Sequence, residues 1–413
     1  MYFFIYSIII NLVFLFSPIL VLIRLIKKKE DPNRYKEKFC IYQKKNSFKS
    51  VWFHAASVGE FMSIIPVLEN CERNKEIKQI ILTTSTRSSA KIFENYKFKK
   101  TFHKYYPLDT NYLTNKFIKT WKPKLAIFVD SEIWPNMFKN LEEKRIPIIL
   151  LNARITEKSY KRWKIFEKFA NEVFSKISLA LPSSLETKKF LKKLGTKKIF
   201  IAGNLKFYGK NRISTHSKFS LKKKFKNFKI LCAASTHEKE EILIAKLHKN
   251  IKKKQKKLLT IIIPRHINRA ERIINDLKKI DLKIITHSSG NAPKKNTDIY
   301  LVDTYGEARK FYQLSNITFV GGSVVKHGGQ NPLEPSRLGN YIINGPNIQN
   351  FEEIYAFLTK NKISITTSNI KKMQNEIEKK LNKKLPKFKV KKIFNIGEKI
   401  LSKNIYYLFK YIA

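Results

Sequence analysis

Along this chain, short runs of Ile, Leu and Val alternate with longer, lysine-rich amphipathic stretches. A first series comprises SVWFHA (50–55), QIILTTS (79–85), KLAIFVD (124–130), PIILLNA (147–153), SLALPS (178–183) and IFIAGN (199–204). A second comprises KILCAAS (229–235), LLTIIIP (258–264), LKIIT (282–286), IYLVD (299–303), ITFVGG (317–322) and YIING (341–345). Near-continuous apolar runs bounded by polar turns predict strands covered on both faces. The helix-length intervals between them predict parallel βα units. The expected fold class is therefore α/β, with two doubly wound domains facing a cleft. The polar, basic stretch 208–228 reads as the connection between a domain over 27–207 and another over 229–385, with a helical tail over 386–413. In such sheets ligands bind beyond the carboxyl ends of the strands.

The pattern breaks at the start. MYFFIYSIIINLVFLFSPILVLI, residues 1–23, carries no charged side chain, and helical rise takes such a run across the ~30 Å hydrocarbon core. Neither a basic n-region nor a small-residue cleavage site is present, which argues against a signal peptide. Residues 1–26 read as a membrane anchor. Arg24, Lys27, Lys28 and Lys29 follow at once, placing the body in the cytoplasm by the positive-inside rule. Pro18 leaves open an anchor that lies in the interface.

Composition narrows the partners. Lys and Arg number 83 against 32 Asp and Glu, a formal charge of +51, which suits anionic lipid headgroups, acidic substrates or nucleic acid. The lysines are scattered, and no RNP-type motif or zinc finger occurs, so no nucleic-acid partner is expected. Cys40, Cys71 and Cys232 are far apart without ligand spacing, which excludes a disulfide framework or structural zinc site.

Candidate chemistry sits at the strand ends. Ser57–Glu60, Ser235–Glu238, Thr304–Glu307 and Asn331–Glu334 share the capping-box spacing. Each Glu is either a helix cap only, or part of a helix N-terminus facing an anionic ligand. Glu60, in HAASVGE, is the one for which a base is the alternative. In FVGGSVVKHGGQNPLEP (319–335), Gly321–Gly322 and Gly328–Gly329 permit close approach of backbone N–H groups to an anion. Asn331 is a cap, Pro332 fits a first helical position, and Glu334 a ribose contact. Neither a P-loop nor a GxGxxG fingerprint is present, and a DxD motif is absent, Asp130-Ser-Glu132 being the nearest approach.

Taken as a set, HAASVGE, DSEIWPN (130–136), NARIT (152–156), GNLKF (203–207), STHEKEE (235–241), PRH (264–266), DTYGE (303–307), FVGGS and GGQNPLEP resemble the 3-deoxy-D-manno-octulosonic acid (Kdo) transferases. The resemblance runs in order from the anchor to about residue 355. It implies the GT-B fold, two Rossmann-like domains facing a cleft. It also implies an inverting transfer of Kdo from CMP-Kdo to a lipid A precursor, lipid IVA, without a catalytic metal or further cofactor. Carried over motif by motif, the general base falls on Glu60 and transition-state stabilisation on Asp130 and Lys206. CMP contacts fall on Pro264, Arg265, Tyr305, Gly306, Glu307, Asn331, Pro332, Leu333 and Glu334. The sequence departs from the family at Asp130, usually Glu; at Tyr208, usually Asp; and at STRSSA (85–90), usually TPTGSE. The alternatives are another GT-B sugar-nucleotide transferase or epimerase, and an inactive membrane-tethered binding protein.

Overall fold

The structure, a computed structural model, describes residues 2–42, 48–209 and 218–412. Two compact units divide the chain: Met1–Tyr208 with Gly397–Ala413, and Gly209–Ile396. Residues 210–217 of the expected connection lie outside the described residues. The rest of that connection departs from a plain linker. Lys218–Phe225 is a helix, and its Phe225 is buried in the core of the second unit with Leu221 and Phe228 packed alongside.

The first unit holds a six-stranded parallel sheet of β1 (Ser50–His54), β2 (Ile80–Thr84), β3 (Thr101–Tyr105), β4 (Pro123–Val129), β5 (Ile148–Ala153) and β6 (Leu179–Pro182). Its order is β3-β2-β1-β4-β5-β6. Strands β1, β2 and β5 are buried along their whole length, as continuous apolar runs require when helices cover both faces. Trp52, fully buried, satisfies its indole N–H by donating to Thr83 Oγ1 at 2.9 Å.

One strand here was not expected, and one expected strand is corrected. β3, TFHKY, is an edge strand with exposed Phe102 and alternating burial, so it lacks the continuous apolar signature. The run expected as a strand over 199–204 makes a single bridge, Ile199 to Ala180, before Gly203 turns at φ 90°. Gly203 lies against Ile400, whose Cγ1 is 2.8 Å from where a Cβ would be.

The second unit holds seven parallel strands: β7 (Lys229–Thr236), β8 (Leu258–Pro264), β9 (Ile284–Thr286), β10 (Ile299–Leu301), β11 (Ile317–Val320), β12 (Tyr341–Asn344) and β13 (Ser364–Thr366). Their order is β13-β12-β11-β7-β8-β10-β9. β13, only three residues long and at the edge, went unseen in the sequence.

The C-terminal tail is one helix, Lys387–Phe409, grouped with the first unit from Gly397 onward. A Cβ at Gly397 would stand 2.4 Å from the Phe207 carbonyl oxygen, so glycine is what lets the helix lie against that backbone. Beyond it, the Tyr411 hydroxyl donates to the Ser178 carbonyl at 3.1 Å, and Phe200 stacks on Tyr407.

In the second sheet Gly321 ends β11 against the end of β7. A Cβ there would lie 2.4 Å from the Ser235 carbonyl oxygen and 2.7 Å from Thr236 Cα, both backbone atoms. Gly321→Ala is therefore expected to destabilise the protein by ~1–3 kcal/mol through overpacking. Urea unfolding checks it, and an unchanged midpoint would contradict the packing described.

Candidate functional site

In each sheet the chain direction reverses between two neighbouring strands. β1 leads outward to β2 while its other neighbour, β4, leads to β5. The segments that follow β1 and β4 therefore diverge and leave a crevice at the carboxyl ends. Into it the chain delivers Glu60 after β1 and Asp130 to Glu132 after β4.

Ser57 caps the helix Val58–Arg73, and its Oγ accepts the Glu60 N–H at 3.4 Å. The Glu60 carboxylate turns back, accepting the Ala56 N–H at 2.8 Å and the Ser57 hydroxyl at 2.8 Å. Glu60 is thus a cap, and half-buried. Burial foremost, then the negative charge of Glu132 and that of Asp130, push its pKa up to about 7, against the pull of the Ser57 and Ala56 hydrogen bonds. Such a carboxyl exchanges a proton near neutrality.

Glu132 behaves differently. Burial raises it, but the bond to His54 Nε2 (3.1 Å) and the Trp134 indole N–H (2.9 Å) together hold it below the usual carboxylate range. His54 is fully buried, stacked on Tyr106 at 3.9 Å, with Nδ1 3.0 Å from Thr83 Oγ1. A carboxylate fixed in its ionised form stands beside one that titrates.

Asp130 occupies the left-handed region at φ 63°, where a short polar side chain is tolerated. Its backbone is fixed by N–H to Leu151 O and by Arg154 N–H to Asp130 O, both at 3.1 Å. Burial raises its pKa, opposed by Lys206 and Arg154. Lys206 stands in a short turn, Leu205–Phe207. The Asn204 side chain caps its N–H at 3.0 Å, and Asn152 Oδ1 accepts Leu205 N–H at 2.8 Å. Glu60, Asp130 and Lys206 are accordingly brought into one electrostatic neighbourhood, with Glu132, Arg154 and His54 as members that sequence reasoning missed. The motifs did carry a signal for them, since His54 opens HAASVGE, Glu132 lies in DSEIWPN and Arg154 in NARIT.

In the second unit β7 leads to β8 and its neighbour β11 leads to β12, so the crevice opens between β7 and β11. Glu240 fills its base. Its carboxylate accepts four backbone N–H groups: His237 at 2.9 Å and Gly322 at 2.7 Å on one oxygen, Ser323 at 3.0 Å and Val324 at 2.9 Å on the other. The side chain is wholly buried.

Of the four capping-box expectations one is met in part, at Ser57, where the return bond of Glu60 goes to Ala56 N–H in place of the cap's own N–H. The helix after β7 starts at Glu240 with Lys239 at φ 76° and no side-chain cap. Glu238 instead pairs with Arg272 at 2.6 Å on the surface. Glu307 and Pro332 precede their helices without capping bonds. Asn331 Oδ1 accepts from Leu333 N–H at 3.0 Å, a turn two residues long rather than a box. Spacing alone selected Glu238 over Glu240; the glycine loop decides, because its N–H groups need an acceptor.

Around this crevice lies a group of histidine and arginine side chains. His237 stacks on His327 at 4.2 Å and meets His266 edge-on at 6.2 Å. Burial foremost, then His327, His266, Arg265 and Arg269, depress its pKa to about 4. Pro264 ends β8, and Arg265 follows, exposed, with its N–H on Thr236 O at 3.0 Å. Tyr305 is 72% exposed and Gly306 stands at φ 81°. Glu307 pairs with Lys310 at 2.6 Å, and Arg309 reaches Glu334 at 3.5 Å, so the segments 305–307 and 331–334 are neighbours. Pro332 and Leu333 are buried supports. Exposed Arg265 and the histidines thus stand at the carboxyl end of this parallel sheet, where ligands bind in folds of this kind. Among the described residues no group of three or more His, Cys, Asp or Glu is placed to hold a metal ion.

Residues 33–208 match the family model described as 3-deoxy-D-manno-octulosonic-acid transferase (kdotransferase). The 3-deoxy-D-manno-octulosonic acid transferase of Rickettsia bellii is 33% identical over 371 residues, 88% of this chain and 88% of that protein. Two solved structures are similar in fold. The UDP-GlcNAc 2-epimerase from Neisseria meningitidis gives a TM-score of 0.59 at 14% identity, covering 88% of this chain and 99% of that one. A glycosyltransferase from Rickettsia africae gives 0.58 at 12% identity, covering 89% and 99%. The expected two-domain parallel α/β architecture of GT-B type is thereby shown.

Glu240→Gln replaces one acceptor oxygen by a donor and leaves two loop N–H groups facing it. A loss on the order of 3 kcal/mol is expected, since each hydrogen bond to a charged group contributes ~1.5–3 kcal/mol. Urea unfolding gives the magnitude, and faster hydrogen exchange at residues 322–324 locates it. Wild-type protection there would contradict the role assigned to this carboxylate.

Proposed function

The chain belongs to the 3-deoxy-D-manno-octulosonic acid transferase family, a glycosyltransferase that moves Kdo in lipopolysaccharide synthesis, and on that premise we propose its chemistry in detail. The donor is CMP-Kdo, and the acceptor a lipid A precursor such as lipid IVA. The body works on the cytoplasmic side of the inner membrane, against its anionic surface, and no nucleic acid takes part.

In this proposal Glu60 removes the proton of the acceptor hydroxyl as that oxygen bonds to the anomeric carbon of Kdo. The bond from that carbon to the phosphate oxygen breaks, and CMP leaves with the electron pair. Attack opposite the leaving group inverts the centre, through an oxocarbenium-like transition state. Lys206 offsets developing negative charge, and Asp130 faces the developing positive charge of the sugar. No metal or further cofactor is needed in this scheme. Pro264, Arg265, Tyr305 to Glu307 and Asn331 to Glu334 receive the nucleotide.

One observation carries the reading. At the carboxyl end of β1 stands a half-buried carboxyl whose pKa is pushed up to about 7. A mere helix cap gains nothing from that shift, because an ionised carboxylate accepts N–H bonds better. A general base does gain, since its pKa then matches the working pH.

Incubation with CMP-Kdo and lipid IVA, followed by mass spectrometry, tests the overall reaction. Turnover of a UDP-sugar but not CMP-Kdo would assign the chain's donor site to another sugar nucleotide. Glu60→Gln is expected to lower single-turnover transfer by at least ~100-fold, the usual weight of a general base. Melting temperature and CMP affinity stay near wild type. The sign of the pH dependence follows from the raised pKa: the base works when deprotonated, so transfer rises with pH through about 7 and levels above it. A flat profile over that range would count against Glu60.

For the donor, Glu334→Ala is expected to weaken CMP-Kdo binding by ~1.5–3 kcal/mol, the value of a lost charge-assisted hydrogen bond. Calorimetry reads this directly. Unchanged affinity would leave Glu334 only its contact with Arg309.

A further inference from the structure

The helix Tyr2–Ile26 has the length and apolarity to cross a membrane. Its contacts tell against that use. At 25 residues it is about 37 Å long, and it touches the first unit from end to end. Near its start Phe3 is buried in the core of that unit, its ring edge-on to Phe169 at 5.2 Å. The Tyr6 hydroxyl donates to Asp109 at 2.8 Å, and Ser7 to Asn136 at 3.0 Å. Asp109 is itself buried and accepts the N–H groups of Asn136 and Met137. At mid-length Phe14 packs against Phe39, centroids 6.2 Å apart. At the far end Arg24 pairs with Glu30 at 2.9 Å, and buried Glu30 also holds Lys38 at 2.8 Å. The chain just beyond is bonded to β3, by Arg34 to the His103 carbonyl at 2.8 Å and by Tyr105 N–H to Glu37 at 2.9 Å.

The sheltered positions, Phe3, Tyr6, Ile10, Phe14, Ser17 and Val21, recur every three or four residues and mark one face of the helix. The opposite face is bare. Among the described residues, thirteen large apolar side chains between Phe4 and Ile26 are exposed. A patch of that size on a soluble surface marks an interaction site. The bare surface continues next to Phe169, whose ring also meets Tyr2 and Tyr6. There, where the helices Glu157–Ile165 and Glu167–Phe174 meet, Ile165 is 73% and Phe166 57% exposed. Arg162, Lys164 and Lys168 flank that corner, all exposed.

We infer that this helix does not cross the bilayer but lies in its interface, held to the first unit along its length, with Ile165 and Phe166 entering the same leaflet. A helix joined to one folded body at both ends cannot place those ends on opposite sides of the membrane unless the body enters the hydrocarbon. The body cannot, because its surface is charged and its loop backbone would lose its hydrogen bonds there. An apolar outer face, with the opposite face held by the unit and basic residues at its flanks, fits the plane of an anionic leaflet. The inference rests on the membrane association proposed above and not on the transfer reaction.

Deleting the helix is a poor test, since Phe3 and Tyr6 belong to the fold of the unit. Exposed positions serve instead. Phe4→Cys, Leu15→Cys and Ile26→Cys carry a fluorophore in the full chain, the native cysteines all being buried. With vesicles of phosphatidylethanolamine and phosphatidylglycerol, lipids brominated at shallow or deep positions report depth. The expected result is one shallow depth for all three labels, each reached by an impermeant quencher from the side where protein was added. A deep Leu15 label with Phe4 reached only from the lumen would overturn the inference. So would absence of vesicle binding with dimerisation, which would assign the face to a second copy. Ile165→Asp with Phe166→Asp is expected to weaken vesicle binding at least ~10-fold at unchanged melting temperature. Undiminished binding would remove that corner from the footprint and overturn its part of the proposal. No donor or acceptor is present in these measurements, so their failure and a failure of the transfer reading are told apart.

Discussion

Two neighbouring parallel strands whose chains leave in opposite directions create the space on which everything else in this protein depends. At β1 and β4 in the first sheet, and at β7 and β11 in the second, the outgoing segments diverge. No side chain builds these crevices; the strand order does. What the sequence chooses is which groups stand at their rims. In the first unit it places three carboxyl groups, a lysine and an arginine there. In the second it places a glycine loop, three histidines and two arginines.

Glu60 and Glu240 show how one residue type at the same topological position acquires different duties. Each stands just after the first strand of its sheet, at or near a helix start. Glu240 is wholly buried and accepts four backbone N–H groups, so its charge is fully engaged in fixing the loop that follows β11. Glu60 accepts one backbone N–H and one hydroxyl, remains half-exposed, and faces two further carboxyl groups. The donors around a carboxylate and the charges beside it decide whether it is structural or reactive. In a chain with 83 basic and 32 acidic residues, acidic groups gathered within one crevice stand out from the scattered positive charge around them. His54, deep beneath, keeps Glu132 ionised and thereby sustains the field that Glu60 feels.

The amino-terminal helix belongs to the same account of position over composition. Its residues are apolar on every side, as a membrane span would be, yet Tyr6, Ser7 and Ser17 fall on the face that meets the first unit or its own backbone. These polar groups help to orient the helix, while Asn11 stays exposed.

Much of this was legible in the sequence. Continuous apolar runs specify buried parallel strands because both faces of such a sheet are covered, and eleven of the thirteen strands carried that signature. The two that did not, β3 and β13, are edge strands, where solvent on one side permits polar residues. The motifs HAASVGE, DSEIWPN and GGQNPLEP located the carboxyl-end loops, since glycine, proline and capping residues act over a few positions of chain. Partners distant in sequence were decided only by the tertiary structure. His54 meets Glu132 across 78 residues, Gly322 meets Glu240 across 82, and Tyr6 meets Asp109 across 103. Local spacing favoured Glu238, while packing selected Glu240. Hydrophobicity measured how far the first helix could reach, and its contacts fixed which way it lies. Local rules act through neighbours along the chain; burial, charge and hydrogen-bond demand act through neighbours in space, and those exist only after folding.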